Sequence, residues 1–113
     1  MAGLLILDGF TLTAKIAARG PWPALTCRYR VALPAAVMTY SEDSRPSAAA
    51  RMAATVKLLA DHLASWDVTD DKGEVLPVTA TNLRRVPMAY LDELVNHVSG
   101  YSSSAQEEDA KNS

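Results

Sequence analysis

The chain has 113 residues and a mass of 12.1 kDa, enough for one domain with its own core and too little for two. Apolar residues make up 49% and charged residues 21%, a globular composition that excludes disorder over the whole length. With 11 basic and 13 acidic side chains the net charge is −2, so no global field attracts a polyanion, and the single cysteine, Cys27, excludes both a disulfide framework and a cysteine-based zinc site.

The first residues hold an apolar run of four, Leu4 to Leu7, with an acid directly after it and no basic segment before it. That pattern reads as neither a signal peptide nor a membrane span, and the cysteine usage suits a reducing, cytoplasmic setting. Over residues 10–19 the sequence alternates: Phe10, Leu12, Ala14, Ile16 and Ala18 fall on one face, Thr11, Thr13, Lys15 and Arg19 mostly on the other. Alternation of period two predicts a half-buried strand. Gly20-Pro21-Trp22-Pro23 breaks it, and Leu25, Cys27, Tyr29 and Val31 then alternate with Thr26, Arg28 and Arg30. The two segments predict an antiparallel hairpin whose apolar face needs a cover, since an isolated hairpin is marginal in water.

Pro34 opens a short helical piece carrying Val37, Met38 and Tyr40, followed by the polar link Ser41-Glu42-Asp43-Ser44. A long helix follows, with Ser44 as its cap and Pro46 in its first turn, running to about Ser65. Met52, Val56, Leu59 and Leu63 recur at helical spacing and form the stripe expected to cover the hairpin. At residue 66 the chain leaves the helix, with Trp66 as a core anchor, and Asp70-Asp71-Lys72-Gly73 makes a turn. Thr79 reads as the cap of a short helix over residues 80–85, with Asn82 as an imperfect capping-box partner. Pro87 disfavours helix at Val86 and starts a last helix, in which Met88, Leu91, Leu94 or Val95, and Val98 share a face and Gly100 is the stop. The prediction is an α+β domain over residues 1–101: a hairpin packed by a long helix, then two or three shorter helices. Residues 102–113 form a polar tail that cannot repay its own ordering entropy without a partner.

Chemistry-bearing residues are sparse. His62 and His97 sit on helices without the convergent groups that a metal or catalytic site requires; His97 is placed to interact favourably with its helix's C-terminal dipole. Cys27 falls on an inward strand face, as a small hydrophobe. Counted from Asp67, the acidic turn puts Lys72 where a calcium loop needs glycine, which leaves a solvated turn. Lys15, Arg19, Arg28 and Arg30 make a basic patch on the hairpin's outer face, readable either as a solvated face that discourages edge pairing or as a docking surface for an acidic partner. Nucleic acid is disfavoured, because no aromatics on that face would stack bases. No phosphate loop or nucleophile elbow occurs. Binding or assembly, without catalysis, metal or cofactor, is the class these residues favour. The large side chains least needed by a core, Trp22, Tyr40 and Tyr101, with Arg28 and Arg30 for charge complementarity, are the candidate partner contacts.

The order of segments from residue 31 to 101 resembles the tail assembly chaperones of long-tailed phages and prophages. It is carried by Tyr29-Arg30-Val31-Ala32-Leu33-Pro34; by residues 63–79, where a helix ends at Trp66 and an acidic turn containing Gly73 precedes Leu76-Pro77 and Thr79; and by Asn82-Leu83-Arg84-Arg85-Val86-Pro87 ahead of a Pro-initiated helix. The resemblance implies a small non-enzymatic protein of the host cytoplasm, absent from the mature virion. It would bind the tail tube protein and the tape-measure protein and prevent premature polymerisation of the tube, and self-association is compatible with that role. The family's longer, frameshifted forms make Ala110-Lys111-Asn112 notable, as these residues are encodable by a slippery heptamer. The alternative is a virion structural subunit, such as a head–tail connector or tail-tip component.

Overall fold

Residues 11–100 are described by the computed structural model; Tyr101, the tail and the first ten residues lie outside them. The alternating segments pair as expected. Strand β1 (Leu12–Ile16) runs antiparallel to β2 (Leu25–Tyr29), with Ala14 opposite Cys27 and Ile16 opposite Leu25. Ala14, Ile16, Leu25, Cys27 and Tyr29 are all buried, whereas Thr13, Lys15 and Arg28 face solvent. A one-residue slip would turn both sets over, so the inner face also fixes the register.

Helix α1 spans Pro34–Asp43 and buries no side chain fully; Ala36, Val37 and Tyr40 are its half-buried contacts. Proline at its first turn costs no hydrogen bond. Helix α2 covers Ala48–His62, and its cap is Ser47, whose hydroxyl accepts the Ala50 amide at 3.0 Å. Ser44 does not cap it. That residue closes α1 instead, its hydroxyl donating to the Tyr40 carbonyl at 2.6 Å, and Pro46 lies before the cap. At 15 residues α2 is about 22 Å long, not the roughly 30 Å of the expected helix.

The C-terminal boundary of α2 differs as well. Leu63 leaves helical geometry (φ −78°, ψ 123°), and Leu63–Trp66 forms strand β3, antiparallel to β2, giving the order β1-β2-β3. Leu-Ala is good helix sequence, yet continuing the helix would leave the free edge of β2 unpaired. Tertiary pairing wins over local propensity at this junction. The architecture is α+β, with a three-stranded antiparallel sheet where the sequence predicts a hairpin.

After β3 the chain makes a narrow excursion, held by Leu76 N donating to Val68 O (2.8 Å) and by a turn at Gly73 (φ +83°). Thr79 caps α3 (Ala80–Leu83), accepting the Asn82 amide, while the Asn82 side chain donates to Pro77 O at 3.0 Å. Helix α4 (Met88–Val98) follows Pro87 and ends at Gly100, whose φ of +82° suits glycine. Leu91 and Val98 are buried as predicted, and Leu94 and Val95, offered as alternatives, are both buried; Met88, expected on the same face, is 44% exposed. α4 lies nearest the sheet, along β1, and α2 packs across α1, α3 and α4. Val56, Leu59, Leu63 and Trp66 join the inner sheet face and α4 in one core. No helix among the described residues is long and apolar enough to cross a membrane.

Candidate functional site

The hairpin tip is the best-braced exposed feature of the fold. Arg19 and Trp22 exchange backbone hydrogen bonds at 3.0 Å in both directions, with Gly20 at φ +54° between them, as in two-residue hairpin turns that begin with glycine. α4 holds this tip from behind. The Tyr90 hydroxyl accepts the Arg19 amide (3.2 Å) and lies within donating distance of Pro23 O (2.7 Å) and Trp22 O (3.1 Å). One turn further along α4, the Glu93 carboxylate pairs with the Arg19 guanidinium. Arg19 is therefore not part of the outer basic face.

Trp22 itself is 51% exposed on this fixed backbone. Beside it opens a cleft of about 210 Å³, walled by Trp22, Leu25, Val68, Val86, Pro87 and Tyr90. A large aromatic half in water next to an open apolar cleft is the arrangement that anchors protein partners. Tyr90, Val68 and Val86 are contributors that the sequence reading does not single out. The pairing of Tyr90 with Glu93, three residues apart on one helix face, is the signal it overlooks.

The outer sheet face carries the cations. Arg28 stands between Thr13 on β1 and Ser65 on β3 and donates through Nε (3.2 Å) and Nη2 (2.7 Å) to the Thr11 hydroxyl. Arg30 donates through Nη2 to Asp61 O at 3.1 Å, at the end of α2. Lys15 lies opposite Thr26. Among the described residues no carboxylate comes within ion-pair distance of Lys15, Arg28 or Arg30, whereas Arg19 and Arg51 pair with Glu93 and Asp92. The face is basic and hydroxyl-rich, as a dock for carboxylates would be.

Tyr40 is placed away from both features. Its hydroxyl shares a hydrogen bond with that of Thr55 (3.2 Å), joining α1 to α2, and cavities of about 220 and 530 Å³ open on its two sides. Leu33 and Met38, 64% and 63% exposed, are the outward apolar residues of that region. Tyr101 lies outside the described residues. The predicted contacts thus divide into Trp22 at the tip, Arg28 and Arg30 on the outer face, and Tyr40 under α1.

The titratable interior is structural. Burial pushes the Cys27 thiol up to about 12, so it stays protonated and unreactive. His97 is 3% exposed, its ring 5.8 Å from that of Tyr29, and burial lowers its pKa. Its place in the last turn of α4 is as expected, while burial disfavours the charged form that a favourable interaction with the helix dipole needs. The Asp70 carboxylate accepts the amides of Lys72 (2.8 Å) and Glu74 (3.0 Å) and so serves its own turn. Among the described residues no group of three or more His, Cys, Asp or Glu side chains is placed to hold a metal ion.

No family model, curated protein or solved structure matches the chain.

Proposed function

We propose that this chain is a phage tail assembly chaperone that works by binding, engaging the tail tube subunit, the tape-measure protein or both in the host cytoplasm and keeping the tube unpolymerised until assembly. The observation that carries the reading is Trp22, half exposed on a backbone pinned by Tyr90 and bordering an open apolar cleft. A rigid aromatic loses little conformational entropy on binding, so it suits a holding surface that must release its cargo. The ordered resemblance over residues 31–101 supplies the partner class. The basic outer face offers a second contact, through Arg28 and Arg30, to acidic segments of the same partners.

The test is co-expression with a candidate tail tube subunit. Co-purification of the pair with the tube subunit unpolymerised is the expected result, lost in Trp22→Ala while the variant keeps its native melting temperature. Recovery of the chain at fixed stoichiometry in purified particles overturns the reading in favour of a virion subunit.

A further inference from the structure

We propose that the acidic segment Glu107-Glu108-Asp109 of this chain docks in cis on the outer sheet face, against Arg28 and Arg30. The cations there lack carboxylate partners among the described residues, although other arginines of the same fold have them. Both guanidiniums are already held in place by a neutral oxygen, Thr11 Oγ1 for Arg28 and Asp61 O for Arg30. Each keeps further N–H groups for an incoming carboxylate, and planar guanidinium–carboxylate pairing is the strongest geometry for such contacts.

The path of the chain brings the acids to this face. The last turn of α4 is tied to the end of β2, where Ala32 N donates to Val98 O at 2.8 Å. At Gly100, φ +82° turns the backbone off the helix, and a Cβ built there would sit 3.7 Å from Val31 Cγ1. The chain therefore leaves the described fold one residue from Arg30. Glu107 lies seven residue steps beyond Gly100, a reach of at most about 25 Å, while Val31 to Arg28 is about 10 Å along a strand. Beyond residue 101 the sequence carries three acids, one lysine and almost no apolar surface, so charge is the means by which it can be held.

Exposed ion pairs are individually weak. The tether changes the balance, since a linker of matching length holds the acids at an effective concentration of roughly millimolar order. Docking is then intramolecular, partial and sensitive to salt. This inference stands independently of the chaperone reading, because it concerns only charges within one chain.

The experiment uses the full chain with Ala110→Cys carrying a nitroxide; Cys27 is buried and stays unlabelled. Backbone amide intensities are read with the label oxidised and reduced. The tether alone keeps the label near the end of β2, so charge dependence is the deciding readout. Expected at low salt is loss of more than half the intensity at Lys15, Arg28 and Arg30, with Thr55 and Leu94 unaffected. The part of that loss owed to docking, above the level set by the tether, should recover in about 0.5 M NaCl, where the Debye length falls to a few ångströms, and in the variant E107Q/E108Q/D109N. Broadening of the same extent before and after neutralisation of the acids, broadening that is absent or uniform, or broadening that centres on Trp22 overturns the proposal. So does broadening that appears only when spin-labelled chains are mixed with isotope-labelled ones, which would assign the contact to a second copy.

Discussion

Replacing Tyr90 by Phe removes one oxygen and leaves the buried ring in place, so it isolates the brace between α4 and the hairpin tip. Tyr90 is 3% exposed, and Phe retains its packing surface. The hydroxyl is lost as acceptor of the Arg19 amide and as donor toward Pro23 O, with Trp22 O as a second acceptor. Arg19, Trp22 and Pro23 are exposed, so water can take up the vacated groups and the loss stays near the net value of a hydrogen bond. Two bonds at about 1 kcal/mol each give roughly 2 kcal/mol of destabilisation. For a domain of this size that corresponds to a fall in Tm of about 8–16 °C. Urea unfolding measures the global loss, and native-state hydrogen exchange at the Arg19 and Trp22 amides, which close the tip, measures the local one. Faster exchange at those two amides than at the β1–β2 ladder is the expected signature. An unchanged Tm together with unchanged exchange at the tip would refute the claim that Tyr90 fixes the platform for Trp22.

The two tryptophans should separate cleanly: Trp66→Ala, which empties a buried site and removes the indole donor to Leu76 O (2.6 Å), should cost about 3–5 kcal/mol in urea unfolding. Trp22→Ala should stay within about 0.5 kcal/mol of the parent, as an exposed substitution does. Cys27 should resist iodoacetamide in the folded protein at pH 8 and react on unfolding; its folded pKa of about 12 lies above the ordinary value of 9.0. The native state therefore holds the proton that the unfolded chain releases, and this contribution to stability declines as pH rises from about 9 to 12, by about 1.4 kcal/mol per unit. A Cys27→Ala variant should show the shallower alkaline slope. His97 works in the opposite pH range: burial lowers its pKa below 6.5, so the unfolded chain takes up the proton first and stability falls as pH drops below about 6.5. Equilibrium unfolding at successive pH values should show that loss, and His97→Gln should reduce it.

The parts of the fold written in period two or in helix punctuation are legible in the sequence. Ala14, Ile16, Leu25, Cys27 and Tyr29 alternate with polar residues and are all buried, because a strand's two faces are sorted by adjacent residues and need no distant information. Thr79 and Gly100 mark a helix start and stop by side-chain and backbone chemistry that is equally local. Ser44 and Ser47 illustrate the limit. Each can cap a helix, and only the extent of α1, which reaches Asp43, decides that Ser44 finishes one helix and Ser47 begins the next. His97 shows a related limit: its position in the last turn is legible, but its burial against Tyr29 depends on how α4 meets the sheet. Of the candidate contacts, Trp22, Arg28 and Arg30 were legible as exposed because turn and strand alternation place them there, while Tyr90 enters through a contact across 71 residues of sequence.

The largest departure, at residues 63–66, is also what builds the cleft beside Trp22. Leu63 and Trp66 are three residues apart, a spacing that satisfies one helix face as well as it satisfies a short, irregular strand, and β3 has only four residues with a register shift opposite Arg28 and Tyr29. Periodicity cannot distinguish the two over so short a run. Pairing with β2 distinguishes them, because it continues past β3: Asp67 N donates to Thr26 O at 3.0 Å, and the Asp67 carboxylate accepts the Thr26 amide at 2.9 Å. That reciprocal contact carries the chain along β2 toward the hairpin tip and brings Val68 into the cleft wall with Leu25 and Trp22. A helix continued to Ser65 would end that pairing and remove Val68 from the wall. The stretch whose local sequence reads as helix is thus the one that the sheet recruits, and the exposed tryptophan acquires its apolar neighbour through that recruitment.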